Sequence, residues 1–341
     1  MSSDYLWDRS GEPDPEIRHL EDVLGALRAK TPSQKWRSES NLRAMPGRGR
    51  WVEAPWRTAV AAGVFFLMMG ASCWLVSRPV RTGWIVARVD GTPVLGSRPV
   101  HTTGELAIGD WLVTDNRSRA RMAVSNIGEV DIEPNSRVRL LRAHGEHHRL
   151  ALDRGAMHAF IWAPPGMFTV ETPAAVAVDL GCEYTLNVDA AGVTTLHVIT
   201  GWVSFEQGGR ESFVPAGAAS VTRPGGEPGT PYFLDSSDQF RASLERFDFE
   251  HDARWLDVVL HESRKRDVVT LWHLLPKTRG AERLRVSERM SELVPPPVGV
   301  TRAGILAADR RMLDLWWEAL GYNEASWWRM WKGPSPFEAR K

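Results

Sequence analysis

RARMAVSNIGEVDIEPNSRVRL, residues 119–140, decides how this chain folds. Ala120, Met122 and Val124 fall on one side of the first segment. Val130 and Ile132 then alternate with Glu129, Asp131 and Glu133, and Val138 and Leu140 alternate with Arg137 and Arg139. A period of two places the apolar residues on one face of a strand and leaves the charged ones to water. Asn126-Ile127-Gly128 and Pro134-Asn135 supply the turns between these segments.

The same rhythm extends in both directions. An apolar run from Trp84 to Val89 ends at the turn signal Asp90-Gly91. Downstream, His144-Gly145-Glu146 and Asp153-Arg154-Gly155 are further turns, and short runs recur at 156–162, 167–171, 174–178, 183–188, 193–200, 202–206, 211–214 and 218–222. Short strands split by Gly, Pro, Asn and Asp predict an all-β sandwich or a β-solenoid-like domain over residues 84–222. Residues 223–236, rich in Pro and Gly, read as a linker. From 237 to 341 the period changes to that of helices, with Phe240, Leu244 and Phe247 on one face, and predicts a C-terminal all-α module. Trp316-Trp317, Trp327-Trp328 and Trp331 crowd its end. Adjacent tryptophans cannot both face one core, so some are expected to be partly exposed or to meet another surface.

Before the strands lies TAVAAGVFFLMMGASCWLV, residues 58–76, with no charged residue and no Pro. At about 1.5 Å per residue it spans roughly 28 Å, so a single transmembrane helix is expected there. Arg43, Arg48, Arg50 and Arg57 precede it and Arg78, Arg81 and Arg88 follow it, a small excess on the N-terminal side. Residues 1–30 form a short helical head and 31–57 a juxtamembrane linker. In the head, Asp14-Pro15 caps a helix whose apolar stripe is Ile17, Leu20, Leu24 and Leu27. One short helix buries too little to stand alone. Its stripe, with Tyr5, Leu6 and Trp7, is therefore the candidate partner-binding surface, taken by a cytoplasmic protein, by the head's own pieces or by the membrane surface.

Composition narrows the function. Lys plus Arg and Asp plus Glu both number 42, so no bulk electrostatic attraction to nucleic acid is expected. The two cysteines, Cys73 and Cys182, are not expected to pair, since one lies within the apolar run. His144, His147 and His148 with Glu146 are the best metal candidates, but an exposed polar turn accounts for them better. No nucleophile elbow, zinc-protease helix or phosphate loop is present, and no enzyme activity, metal or cofactor is expected. His158 and His197 read as core or surface histidines, and Glu129, Asp131 and Glu133 as a solvated strand face without a partner base.

An ordered series of motifs adds a resemblance. Gly109-Asp110-Trp111-Leu112-Val113-Thr114 is followed by Gly128-Glu129-Val130, Pro134-Asn135-Ser136-Arg137-Val138, Asp153-Arg154-Gly155, Phe168-Thr169-Val170-Glu171-Thr172-Pro173, Gly181-Cys182-Glu183-Tyr184 and Val198-Ile199-Thr200-Gly201-Trp202-Val203. This order resembles the FecR family of bacterial membrane regulators. Cys182 stands where that family usually has Thr, and Tyr184 where it has Phe, so altered packing is expected there.

The resemblance implies a multidomain membrane protein: a short α-helical head in the cytoplasm, one transmembrane helix, and a periplasmic FecR β-domain with the C-terminal helices beyond it. It further implies a single-pass inner-membrane regulator that senses a periplasmic or outer-membrane protein or glycan and controls a cytoplasmic partner such as an extracytoplasmic-function sigma factor. The alternative is an envelope structural or glycan- or protein-binding protein without signalling.

Overall fold

The computed structural model describes residues 83–322 apart from His144 and Glu146, all within one compact unit. The first strands are β1 (Gly83–Asp90), β2 (Val94–Leu95), β3 (Arg98–Pro99), β4 (Thr103–Ala107), β5 (Trp111–Val113) and β6 (Arg119–Val124). They are followed by β7 (Gly128–Ile132), β8 (Arg137–Arg142), the long β9 (His148–Ile161), β10 (Phe168–Glu171), β11 (Val176–Asp179) and β12 (Glu183–Val188). The last are β13 (Thr194–Thr200), β14 (Trp202–Gln207), β15 (Arg210–Pro215), β16 (Ala218–Thr222) and β17 (Tyr232–Phe233). Helices α1 (Asp238–Glu250), α2 (Ala253–Glu262), α3 (Val268–Lys277), α4 (Gly280–Leu293), α5 (Arg302–Leu306) and α6 (Arg310–Ala319) complete the chain, with a short 3-10 turn at Lys265–Asp267.

The strands form two layers. In the first the order is β4-β1-β6-β7-β9-β12-β13-β16-β17. In the second it is β3-β2-β5-β8-β9-β10-β11-β14-β15. Strand β9 belongs to both. Residues 149–154 pair with β8 and residues 155–161 with β7 and β12. The β9–β10 pair is parallel, so the strands expected to form an all-β sandwich or β-solenoid-like domain make a mixed sheet.

The change of layer is built from the motif residues. Gly155 has φ +88°, and a Cβ there would lie 2.3 Å from Ser136 Oγ, so a side chain is doubly disfavoured. In the space this leaves, the Ser136 hydroxyl accepts from Ala156 N–H at 2.9 Å and donates to Ala156 O at 3.0 Å. Thr114 Oγ1 accepts from Ser136 N–H at 2.9 Å and donates to Glu133 O at 2.7 Å. Thr114, Ser136 and Gly155 therefore satisfy the backbone groups that the crossing removes from the ladder.

Inward side chains of both layers, including Met122, Val130, Val138, Leu152, Phe168, Leu186 and Val203, make one core, and that core continues into the helices through Phe240, Leu256, Leu271, Trp272 and Trp317. The C-terminal helices are thus part of the same folded body as the strands. The stretch read as a linker contributes β17, which pairs with β16, and Thr230, whose N–H and hydroxyl both donate to Asp248 of α1.

The transmembrane expectation is corrected. No helix among the described residues is long and apolar enough to cross a membrane. The longest, α4, has 14 residues and rises about 21 Å against a hydrocarbon core of about 30 Å. The stretch 58–76 lies outside the described residues, as does the head. The single-pass inner-membrane placement, with a cytoplasmic N-terminus and a periplasmic bulk, is therefore not carried forward.

Candidate functional site

The outer face of the first layer is where chemistry-bearing side chains converge. Alternation in β7 and in the second half of β9 turns Glu129, Asp131, His158 and Phe160 outward. The register then sets Glu129 opposite Phe160 and Phe160 opposite Glu183, with Asp131 opposite His158. These five residues line a depression of about 280 Å³.

Ion pairs organise its rim. Arg121 makes a forked contact with Asp131, Nε to Oδ1 at 2.6 Å and Nη2 to Oδ2 at 2.9 Å, and lies 3.9 Å from Glu129. The hydrogen bonds it donates to Asp131 hold the Arg121 guanidinium above its ordinary pKa. His158 Nε2 is 2.9 Å from Glu183 Oε1, so the strand face read as lacking a partner base has a histidine one strand away. Phe160 is 49% exposed and Trp162 is 55% exposed, their rings edge to face at 5.5 Å, and the indole N–H of Trp162 donates to Asn126 O at 3.0 Å. Two half-exposed aromatic rings bordered by carboxylates make a surface suited to a cationic partner.

The outer face of the second layer has the opposite character. Arg137 stacks 3.9 Å from the Trp111 ring centroid, with Arg139 at 5.5 Å on the same ring. Arg142 lies directly opposite Arg149 in the register, and Arg149 reaches Glu171 at 3.1 Å.

A buried polar cluster closes the turn from β11 to β12. Asp179 accepts from Gly181 N–H at 2.7 Å and from the Cys182 thiol at 2.7 Å. Burial raises the Asp179 carboxyl to about 7 against these hydrogen bonds, and burial likewise pushes the Cys182 thiol and the Tyr184 phenol up. The Tyr184 hydroxyl has no hydrogen-bond partner among the described residues.

Where the helices meet β14 and β15, a cleft of about 340 Å³ is bordered by Arg210, Glu227, Trp272, Lys277, Arg310 and Leu313. Two of its cations are held in ion pairs. Arg210 pairs with Glu227 at 2.7 Å, and Lys277 pairs with Asp248 at 3.0 Å. A second cavity, about 530 Å³, lies among α4, α5 and α6 over Trp316 and Ile305. Trp316 and Trp317 are both buried, because α6 is covered on two sides. Trp316 faces that cavity, while Trp317 packs on Trp202, Phe213 and Trp272 with ring centroids 5.9, 5.7 and 4.5 Å away. The two adjacent tryptophans thus meet different surfaces, and neither is exposed.

The other sequence-derived candidates are not brought together. Tyr5, Leu6, Trp7, Ile17, Leu20, Leu24 and Leu27 lie outside the described residues, as do Trp327, Trp328 and Trp331. At the histidine turn, His144 and Glu146 lie outside as well, while His148 is buried against Trp84 at 6.0 Å. No group of three metal-ligating side chains occurs among the described residues.

Comparison with known proteins bears on the strands that carry these features. Residues 110–204 match the FecR protein family. The FecR region runs from just before β5 into β14 and so contains the layer crossing at β9, the outward face of β7, β9 and β12, and the Asp179 cluster. No curated protein matches the chain. Two crystal structures of an anti-sigma factor candidate from Parabacteroides distasonis ATCC 8503, at 1.65 and 2.50 Å resolution, are each 11% identical with a TM-score of 0.32. Each alignment covers 40% of this chain and 64% of that chain, so this chain spans less than two thirds of their length. At that score the likeness carries no argument about fold or function.

Proposed function

We propose that this chain is a regulator in sigma-factor signalling that works by protein binding rather than by catalysis. The observation that carries the reading is the FecR match over residues 110–204, a stretch that includes the layer crossing and its hydrogen-bonded corner. The character of the surface agrees with it. The outward groups of the first layer are tied to one another in ion pairs beside exposed aromatic rings, an arrangement suited to contact with a protein. In this reading the stripe Ile17, Leu20, Leu24 and Leu27, with Tyr5, Leu6 and Trp7, holds the sigma factor, and the FecR region receives the contact that changes that hold. A receiving contact transmits only if it favours one state over the other.

The test is co-purification of the full chain from its own cells, with a sigma-dependent reporter read in parallel. Wild type is expected to retain a sigma factor, and the Leu20→Asp, Leu24→Asp double variant to lose it and shift reporter output. Finding no sigma factor with wild type, and an unchanged reporter with the variant, would sink the reading.

A further inference from the structure

The two layers turn chemically complementary faces outward. On the first, Glu129, Phe160 and Glu183 are neighbours across three strands, with Trp162 beside them. At a strand spacing of about 4.8 Å the two carboxylates stand roughly 10 Å apart with the ring between them. On the second, Arg139, Arg142 and Arg149 occupy adjacent strands, all three exposed. Arg142 and Arg149 oppose each other directly, a like-charge pairing that destabilises a sheet unless an anion offsets it. Glu171 answers Arg149 at 3.1 Å, while no ion pair holds Arg142 among the described residues. Glu129 is in a matching position, since its nearest guanidinium, that of Arg121, is 3.9 Å away and engaged with Asp131. Each face thus has what the other lacks. Arginines stack on exposed aromatic rings and donate forked hydrogen bonds to carboxylates, and the first layer offers both rings and carboxylates.

We propose that copies of this chain associate head to tail, the Arg139–Arg142–Arg149 face of one seating on the Glu129–Phe160–Glu183 face of the next. The occupant is a second copy because both halves of the complementarity are on one chain. The two faces belong to different layers, so contact between them is heterologous and extends into open chains rather than closing as a two-fold dimer. The inference does not rest on the sigma-factor reading.

Sedimentation velocity of the full chain tests it, in a nonionic detergent that masks the apolar run 58–76. At low salt the weight-average mass is expected to rise continuously with concentration past that of a dimer, and to fall back as salt screens the contact. Glu129→Arg with Glu183→Arg, and separately Arg142→Glu with Arg149→Glu, are each expected to weaken association by more than about tenfold. Mixing the two double variants is expected to restore it, since each then offers the face the other needs. Glu129, Arg142 and Arg149 are exposed and Glu183 is half-buried, and circular dichroism checks that both variants fold. A wild-type monomer at every concentration, a closed dimer, or association that survives both reversals would each overturn the proposal.

Discussion

Strands β6 and β7 and strands β14 and β15 are built on the same plan, yet their surroundings differ. In β6 every second residue is buried, and the arginines between them reach solvent. In β14, Trp202, Val203, Ser204 and Phe205 are all buried in succession, and β15 ends in four consecutive buried residues. The difference is the helical cap. Phe213 on β15 meets Trp317 of α6, and its backbone N–H donates to His273 Nε2 of α3 at 2.9 Å. That bond requires an unprotonated Nε2, so the imidazole proton sits on Nδ1 and is given to Val269 O at 2.7 Å. One end of the two layers keeps water on its outer faces. The other uses both faces as core, which leaves the free faces near β7, β8 and β9 as the available binding surface.

The strongest way to break this contrast is Trp317→Ala. Trp317 touches Trp202 and Phe213 from the strands, Trp272 and His273 from α3, and Tyr322 after α6. Truncating so large a buried ring removes transfer energy and leaves a cavity, together about 3–5 kcal/mol. Chemical denaturation should show that loss. Hydrogen exchange should place the new openings in β14, β15 and α3 and leave β6 and β7 protected. Uniform loss of protection, or a change under 1 kcal/mol, would mean that the cap and the strands are not joined through this ring.

How much could be read beforehand follows the same divide. Where the outer face is wet, as in β6, β7 and the second half of β9, the period of two is intact and the strands are visible in the residues. Where helices cover it, as at AASVT in β16, the run marks a strand but not what lies on its far side. The pairing of His158 with Glu183, 25 residues apart, arises from register, and no local pattern encodes it. Trp316 and Trp317 show a related limit, since the residues alone left open whether one of them is exposed. Their directions differ by about 100° on a helix, as expected, but a helix buried on two sides has a place for each. The motif residues were legible as a series, while their role in satisfying the backbone at the β9 crossing required the three-dimensional path.

A smaller effect sharpens the contrast within the core itself. Asp179 ends β11 where both faces are buried, and its carboxyl is raised from 3.8 to about 7. The folded state therefore holds a proton that the unfolded chain has released. The stability from this group is fully present below about pH 4, falls as pH rises, and levels off above about 7. The slope in that window is at most about 1.4 kcal/mol per pH unit. Asp179→Asn should flatten it, read as the difference between the two unfolding free energies from pH 4.5 to 7.5. Parallel profiles for the two proteins would show that Asp179 is ionised in the fold or solvated on opening.

The smallest expected effect lies two residues past Cys182. Tyr184 is fully buried on β12 and its hydroxyl meets no acceptor among the described residues. A buried hydroxyl without a partner has lost its water and gained no bond, which costs about 1–3 kcal/mol. Removing the oxygen recovers part of that and leaves a void too small to cancel it. Tyr184→Phe should therefore raise stability by about 1 kcal/mol, or Tm by about 2–4 °C in a domain of this size. At an exposed site the same exchange would be near neutral. A loss of stability would show that the hydroxyl has a hydrogen-bond partner in solution, a buried water against Asp179 and Cys182 being the nearest polar company.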